Sequence, residues 1–254
     1  MKKTAVLIYN SFCNFEFSVA LEILALAEKE VVIFAHTKEA VKSEDGLMVL
    51  PNQTISEINI DEYDSLILPG AMDIREAIEN EEVIEFIRKF ENKAIGAISI
   101  APLMLVKAGL LSGKPFMAGV NKEEIMEEGF TEQDLEKMVG WDANLESPVK
   151  EGYIITDNII TSISYNFVKW GLAFGLNDWN RYPTRNLWNL IRGKFNLTEG
   201  AISSLSKTAA CPAVSFTAGQ ALSSYTVCFP GARVNLRPSG RVTSAVRLAG
   251  ISNS

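Results

Sequence analysis

The segment Ala94-Ile-Gly-Ala-Ile-Ser-Ile-Ala-Pro-Leu-Met-Leu-Val-Lys-Ala-Gly109 shows how this chain is built. Residues 94–98 form a short, continuous apolar run, which is typical of a strand buried on both faces of a sheet. Pro102 occupies an early helical position where proline is tolerated, and Gly109 is a typical stop, so residues 102–109 are predicted to form a helix. Ser99 therefore lies where a buried strand passes directly into a helix.

The same alternation of strands and helices extends to both sides of this segment. Apolar runs and helical periodicity predict buried strands at 4–9, 31–35 and 65–68, a hairpin of 153–156 with 159–161, and helices over 16–29, 81–90, 123–128, 132–138 and 164–174. This order predicts an α/β fold in which a doubly wound, mostly parallel sheet carries helices on both faces.

Composition excludes several functional classes. The 254 residues are 47% hydrophobic with a formal net charge of −7, which argues against a nucleic-acid partner. Three cysteines are too few for a disulfide scaffold and indicate a reducing, cytoplasmic setting. A single histidine excludes multi-histidine metal sites. We expect no signal peptide, no membrane span, no metal and no cofactor.

The composition changes sharply near residue 176. Residues 1–199 carry 19 basic and 31 acidic side chains, whereas no acidic residue follows Glu199. We therefore predict an α/β domain over 1–176 and a basic extension over 177–254 that is rich in Ser, Thr, Ala and Arg. The extension can be a flexible tail that binds an acidic partner, a small subdomain, or foreign sequence from a frameshift or a mis-assembled gene.

The carboxyl ends of the predicted strands carry the candidate site, because ligands of open α/β sheets bind at that edge. Ser99 at a strand-to-helix turn fits the logic of a nucleophile elbow. Backbone N–H groups of Gly70, Ala71 and Ile100 can stabilise an oxyanion, and the Glu16 carboxylate can act as an acid or base. The simpler alternatives are that Ser99 only caps a helix and that Glu16 only complements a helix dipole.

Several segments together resemble the ThiJ/PfpI superfamily, the class I glutamine-amidotransferase-like proteins. Leu66-Ile-Leu-Pro-Gly-Ala71 resembles the family's LPGG loop, and residues 96–113 resemble its AICAGPxxLxxAGLLxG elbow and helix. Residues 156–162 resemble the DGNLITS hairpin, and Phe15-Glu16 resembles the acidic start of the first helix. The order and spacing hold over about residues 3–175 and imply a flavodoxin-like, doubly wound sheet.

The departures from the family pattern bear on function. The family's cysteine nucleophile falls on Ser99, and the histidine often found near the elbow is absent, while Glu16 is retained at the acidic position. In the family this carboxylate contacts the cysteine thiolate. A serine hydroxyl is a far weaker acid than a thiol, so Ser99 would need a positioned base.

Two other side chains are weaker candidates. His36, the only imidazole, ends the second strand and is expected to lie one strand removed from the neighbours of the elbow strand, so a surface role is favoured over catalysis. Cys13 lies three residues before Glu16 at the same edge. It is either a displaced, redox-sensitive thiol or an inert, half-buried side chain.

Two functions follow from these observations. The first is a small-molecule-binding or regulatory module that keeps the elbow pocket without the chemistry. The second is a hydrolase or lyase in which Ser99 attacks a carbonyl-like carbon, Glu16 manages protons, and Ala71 and Ile100 hold the oxyanion. The resemblance also implies a homodimer.

Overall fold

A computed structural model of the chain describes residues 2–127, 129–141, 149–179, 225–229 and 232–236. Most of the extension predicted over 177–254 thus lies outside the described residues. By its internal contacts the chain divides into two units, Met1–Tyr182 and Pro183–Ser254. The described part of the second unit is one antiparallel hairpin, and the composition-based boundary at residue 176 stays a prediction.

The strands of the first unit form one large sheet and two small pairs. In chain order they are β1 Lys3–Leu7, β2 Val31–Ala35, β3 Val41–Lys42, β4 Met48–Val49, β5 Gln53–Thr54, β6 Tyr63–Leu68, β7 Ala94–Ile98, β8 Phe116–Met117, β9 Met138–Val139, β10 Ile154–Thr156 and β11 Ile159–Ser162, followed in the second unit by β12 Tyr225–Phe229 and β13 Ala232–Leu236. The central sheet has seven strands in the order β10-β11-β7-β6-β1-β2-β5. All its pairs are parallel except β10 with β11, which confirms the predicted fold class.

Helices cover both faces of this sheet. They are α1 Ser18–Leu26, α2 Arg75–Glu79, α3 Glu81–Arg88, α4 Pro102–Lys107, α5 Lys122–Glu127 and α6 Phe167–Trp179, with 3₁₀ turns at Asn14–Phe17, Ile55–Glu57, Ile60–Glu62 and Ser164–Asn166. One apolar core contains side chains of α2, α3 and α4, and a second contains side chains of α1 and α6. No helix among the described residues has the length and the apolar character that a membrane crossing needs.

Helix α6 packs closely against strand β7. The rings of Trp170 and Phe174 stack with centroids 5.8 Å apart, and a Cβ at Gly96 would lie 2.6 Å from Phe174 Cδ2. Only glycine lets the helix approach the strand this closely. The strand that leads to Ser99 is therefore fixed by a buried aromatic pair.

A buried ion pair lies near the amino ends of the strands. Lys29 precedes β2, and its Nζ lies 2.6 Å from Oδ1 of Asp64 in β6. Both side chains are almost fully buried. Beside them, the Thr4 and Ser65 hydroxyls form a hydrogen bond of 2.8 Å that joins β1 to β6. This polar cluster ties three neighbouring elements together at the edge of the sheet that carries no candidate site.

Three predicted helices differ from the structure, and the one over 164–174 begins as the 3₁₀ turn Ser164–Asn166 and continues as α6 to Trp179. Residues 132–137 form turns rather than a helix, since the Asp134 carboxylate accepts hydrogen bonds from Thr131 and Ser112 and Met138 pairs with Phe116 in a small parallel sheet. The predicted helix over 16–29 begins as a 3₁₀ turn at Asn14–Phe17 and ends at Leu26. That 3₁₀ turn is what places Glu16 at the candidate site.

Candidate functional site

Ser99 occupies a strained backbone conformation directly after β7. Its φ angle is +62°, in the left-handed region that non-glycine residues rarely adopt. Its N–H donates to the Ser162 carbonyl at 2.8 Å, and its carbonyl accepts from the Gly119 N–H at 2.8 Å. These two bonds hold the half-buried residue in its turn, as predicted for an elbow.

Glu16 lies beside Ser99 and is fully buried. Its Oε2 accepts a hydrogen bond of 2.6 Å from the Gly70 N–H, and its Oε1 accepts one of 2.6 Å from the Ser164 hydroxyl. The Ser99 hydroxyl lies beside this carboxylate and favours its ionised form. Glu16 and Ser99 therefore form a joint polar centre, although they are far apart in the chain.

Burial controls the charge of Glu16. Removal from water raises the pKa of Glu16 to about 7, against opposing hydrogen bonds from Ser164, Gly70 and Ser99, with a smaller upward contribution from the Glu44 carboxylate. Near neutral pH the group is thus divided between its protonated and ionised forms. It can donate a hydrogen bond in the first form and accept a proton in the second.

Gly70 makes a contact that the sequence did not predict. Its N–H is engaged with Glu16, and a Cβ at this position would lie 2.5 Å from Ser99 Cβ and 2.7 Å from Glu16 Oε2. Glycine is therefore required for the close approach of the two side chains. In this structure Gly70 orients Glu16, and its direct contact with a ligand stays a prediction.

Ala71 and Ile100 are the remaining amide donors at the edge. Each follows a residue of the centre in the chain, Gly70 and Ser99 respectively. Among the described residues, neither amide has a hydrogen-bond acceptor. They fit the predicted role of binding an oxygen atom next to Ser99, and this role remains a prediction.

Cys13 belongs to the same neighbourhood but holds its proton firmly. Its N–H donates to the Gly70 carbonyl at 2.8 Å, and its Sγ donates to Glu44 Oε2 at 3.1 Å. Burial, followed by the charges of Glu16 and Glu44, raises the pKa of the Cys13 thiol strongly. A thiolate is the reactive form of cysteine, so these surroundings favour the inert interpretation over the redox hypothesis, which remains untested.

His36 lies in a separate cleft at the carboxyl ends of β1 and β2. This cleft has a volume of about 240 Å³, and its lining includes His36 and Lys42 but neither Ser99 nor Glu16. The imidazole Nδ1 lies 3.5 Å from Glu82 Oε2. Strands β1 and β6 lie between β2 and the elbow strand β7. His36 is therefore separated from the strands next to β7, as expected from the sequence.

Sequence reasoning missed Ser164 and Gly119. Ser164 follows β11, the strand beside β7, and a usable signal was its place just after the hairpin at the same edge. A Cβ at Gly119 would lie 3.3 Å from Ser99 Cα and 3.4 Å from a ring carbon of Trp141, which places that indole near the elbow. Within the ranges that the structure describes, no group of His, Cys, Asp and Glu side chains has the arrangement of a metal site.

Comparison with known proteins shows which protein family the chain resembles. The DJ-1/PfpI family model matches residues 2–168. Deglycase PfpI from Pyrococcus furiosus is 34% identical over 87 residues, which cover 34% of this chain and 52% of the relative, so the chain spans about half the length of that protein. Protein dj-1beta from Drosophila melanogaster is 32% identical over 103 residues, 39% of this chain and 55% of the relative.

Solved structures show the same fold. The crystal structure of Drosophila melanogaster DJ-1beta superposes with a TM-score of 0.58 at 23% identity, over 76% of this chain and 97% of the other. Schizosaccharomyces pombe DJ-1 gives a TM-score of 0.58 at 20% identity, over 77% and 100% of the two chains. These similarities agree with the α/β fold of the seven-stranded sheet. The residues matched by the family model include both Glu16 and Ser99. The chain therefore belongs to the DJ-1/PfpI family.

Proposed function

We propose that this chain is a small-molecule-binding member of its family, with a pocket at Ser99 that accepts a carbonyl or carboxylate group. The donors available there are the Ser99 hydroxyl, the Ala71 and Ile100 amides, and Glu16 when it is protonated. An oxygen-bearing head group with acceptor lone pairs satisfies this set. We propose further that Ser99 stands where the family's cysteine nucleophile stands.

The observation that carries this proposal is the position of the only imidazole. His36 lies in a separate cleft with Glu82, so it is not the base that Ser99 would need. The remaining base is Glu16, whose pKa of about 7 is far below that of a serine hydroxyl. The geometry thus supports binding through hydrogen bonds better than attack by an alkoxide.

A binding screen tests the proposal. The purified protein is titrated with short carboxylates and aldehydes, such as acetate, lactate, pyruvate and glyoxylate, by isothermal calorimetry. We expect at least one to bind, and Ser99→Ala to weaken that binding about 10-fold, the effect of one lost hydrogen bond to an oxygen acceptor. Ser112→Ala, which removes a surface hydroxyl bound to Asp134, is the matched control and leaves the affinity unchanged. Equal affinity in Ser99→Ala and the unmodified protein contradicts the proposal.

The second candidate is a hydrolase or lyase that uses Ser99 and Glu16. The observations that favour it are the strained elbow, the proximity of the two side chains, and the names of relatives such as deglycase PfpI. Intact-mass spectrometry after incubation with a serine-directed phosphonate tests it. A single adduct that disappears in Ser99→Ala but persists in Cys13→Ala supports the enzyme and argues against the binding module.

We also propose that the protein forms a homodimer, as its family implies. The low cysteine content supports the further proposal that it resides in the cytoplasm. Three apolar side chains in and beside β4 are exposed to solvent: the exposed fractions of Leu47, Met48 and Leu50 are 51%, 57% and 70%. A second copy of the chain would cover such a patch. Light scattering after gel filtration should give twice the chain mass of 28.0 kDa, and Leu47→Lys with Leu50→Lys should give the monomer. A monomeric unmodified protein contradicts the dimer.

A further inference from the structure

Ser164 makes a contact that the proposed function does not use. Its hydroxyl donates to Glu16 Oε1 at 2.6 Å across 148 positions of sequence, while the Gly70 N–H serves Oε2. Ser164 itself is half-buried in the 3₁₀ turn Ser164–Asn166 that leads into α6. Each carboxylate oxygen of Glu16 thus has its own fixed donor, and the two donors come from different elements.

The groups that face Glu16 are neutral or acidic. Tyr9, Cys13 and Glu44 interact with it electrostatically, and among the described residues no cation contacts it. Burial raises the pKa of both Tyr9 and Cys13, so these two side chains are uncharged at neutral pH. The Glu44 carboxylate opposes ionisation of Glu16. The negative form of Glu16 is therefore stabilised by neutral hydrogen-bond donors alone.

Of those donors, Ser164 is the one that orients the carboxylate without taking part in the pocket chemistry. Gly70 contributes a backbone amide that every substitution except proline leaves in place, and Ser99 belongs to the proposed ligand site. We propose that Ser164 is a positioning residue that fixes the Glu16 carboxylate and sets the pH at which the Ser99 pocket changes from a donor to an acceptor. This inference rests on the proposed function for its biological use but not for its test.

The consequence for binding has a definite sign. A carboxylate ligand prefers protonated Glu16, which donates to it, and is repelled by the ionised form. Its affinity should therefore fall as the pH rises through the Glu16 transition. Loss of the Ser164 donor removes stabilisation of the ionised form, so the transition moves to higher pH and binding persists further into the alkaline range.

A direct titration of Glu16 tests the inference without any ligand. The protein is labelled with ¹³C at glutamate Cδ, and the Glu16 resonance is assigned by its absence in Glu16→Gln. A hydrogen bond to a charged group contributes about 1.5–3 kcal/mol, so Ser164→Ala should move the transition upward by about one pH unit or more. Ser164→Thr keeps a hydroxyl and should restore the original value. Ser112→Ala is the matched control and should leave it unchanged.

The outcomes separate the two proposals. A Ser164→Ala protein that titrates at the original pH overturns the inference, whatever the protein binds. A shifted transition in a protein that binds none of the carboxylates or aldehydes supports Ser164 as a positioning residue and contradicts the proposed function. If Ser164→Ala does not fold, Ser164→Cys supplies a weaker donor and should give a smaller upward shift, and no shift in that variant overturns the inference.

Discussion

Two buried carboxylates lie at opposite edges of the same sheet, and their partners differ. Asp64, near the amino ends of the strands, contacts the Lys29 ammonium at 2.6 Å. Glu16, near the carboxyl ends, receives hydrogen bonds from the Gly70 amide and the Ser164 hydroxyl and has the Ser99 hydroxyl beside it. The first carboxylate is matched by a full positive charge, and the second only by neutral dipoles.

The difference shows that one fold can bury a carboxylate in two ways, either beside a cation or among neutral hydrogen-bond donors. In a buried ion pair, removal of either side chain leaves the other charge uncompensated in the core. Neutral donors stabilise a carboxylate less, so burial and hydrogen bonding nearly balance at Glu16, whose pKa is about 7. Glu16 can therefore gain or lose a proton near neutral pH.

The largest effect is expected at the ion pair. Lys29→Met leaves Asp64 buried without its cation and should lower the free energy of unfolding by about 3–5 kcal/mol. Urea denaturation measures the change. Lys29→Met combined with Asp64→Leu removes both charges and should recover most of the loss. If the single variant is as stable as the unmodified protein, the two carboxylates do not differ as described.

A smaller, pH-dependent effect is expected at Glu16. Its folded pKa, about 7, lies above the ordinary value of 4.5, so the folded state holds the proton longer than the unfolded state. The resulting stabilisation is complete below the unfolded pKa and is lost as the pH rises through 7. Glu16→Gln cannot ionise, so its stability relative to the unmodified protein should improve by roughly 2–3 kcal/mol between pH 5 and pH 8.

Denaturation at both pH values checks this prediction, with Glu79→Gln at the exposed end of α2 as the control. A constant difference between Glu16→Gln and the unmodified protein across this range contradicts the raised pKa. A difference that changes in the opposite direction would mean that Glu16 has an unseen cationic partner and resembles Asp64 after all.

The smallest effect concerns the strain at the carboxyl edge. Ser99→Gly and Ser99→Ala both remove the hydroxyl, but only alanine keeps a Cβ at φ +62°. The glycine variant should therefore be the more stable by about 1 kcal/mol, as measured by thermal unfolding. Ala25→Gly, on the exposed side of α1, should instead cost about 1 kcal/mol. Equal stabilities of the two Ser99 variants would mean that the turn is not strained.

Much of the fold was predictable because its strands are continuous apolar runs. The predicted bounds of β2 and β7 agree with the structure, and the strand order is that of a mostly parallel sheet. The prediction over 132–138 was wrong, because helical periodicity in a short acidic segment does not reveal that Asp134 bonds to side chains around it. Interactions at a distance decided that segment.

Site residues could be predicted from the sequence only where a local sequence pattern fixes the position of the residue in the fold. A strand-to-helix turn predicted the elbow at Ser99, and the chain order predicted Glu16 at the same edge. Ser164 was missed, because its contact with Glu16 depends on the pairing of β11 with β7, and its place just after the predicted hairpin was the one local signal. The engagement of the Gly70 amide by Glu16 was hidden for the same reason, since no sequence pattern shows which acceptor a backbone donor reaches first.

The contact between Glu16 and Ser164 also has a consequence for biosynthesis. The two residues are separated by 148 positions, and a ribosome adds about 5–20 residues per second, so Ser164 follows Glu16 by roughly 7–30 s. During that interval the nascent chain holds a carboxylate destined for burial while one of its donors does not yet exist. Glu16 therefore gains its last donor only when most of residues 1–164 have been synthesised, and a chain released before residue 164 carries Ser99 and Glu16 without the Ser164 hydroxyl.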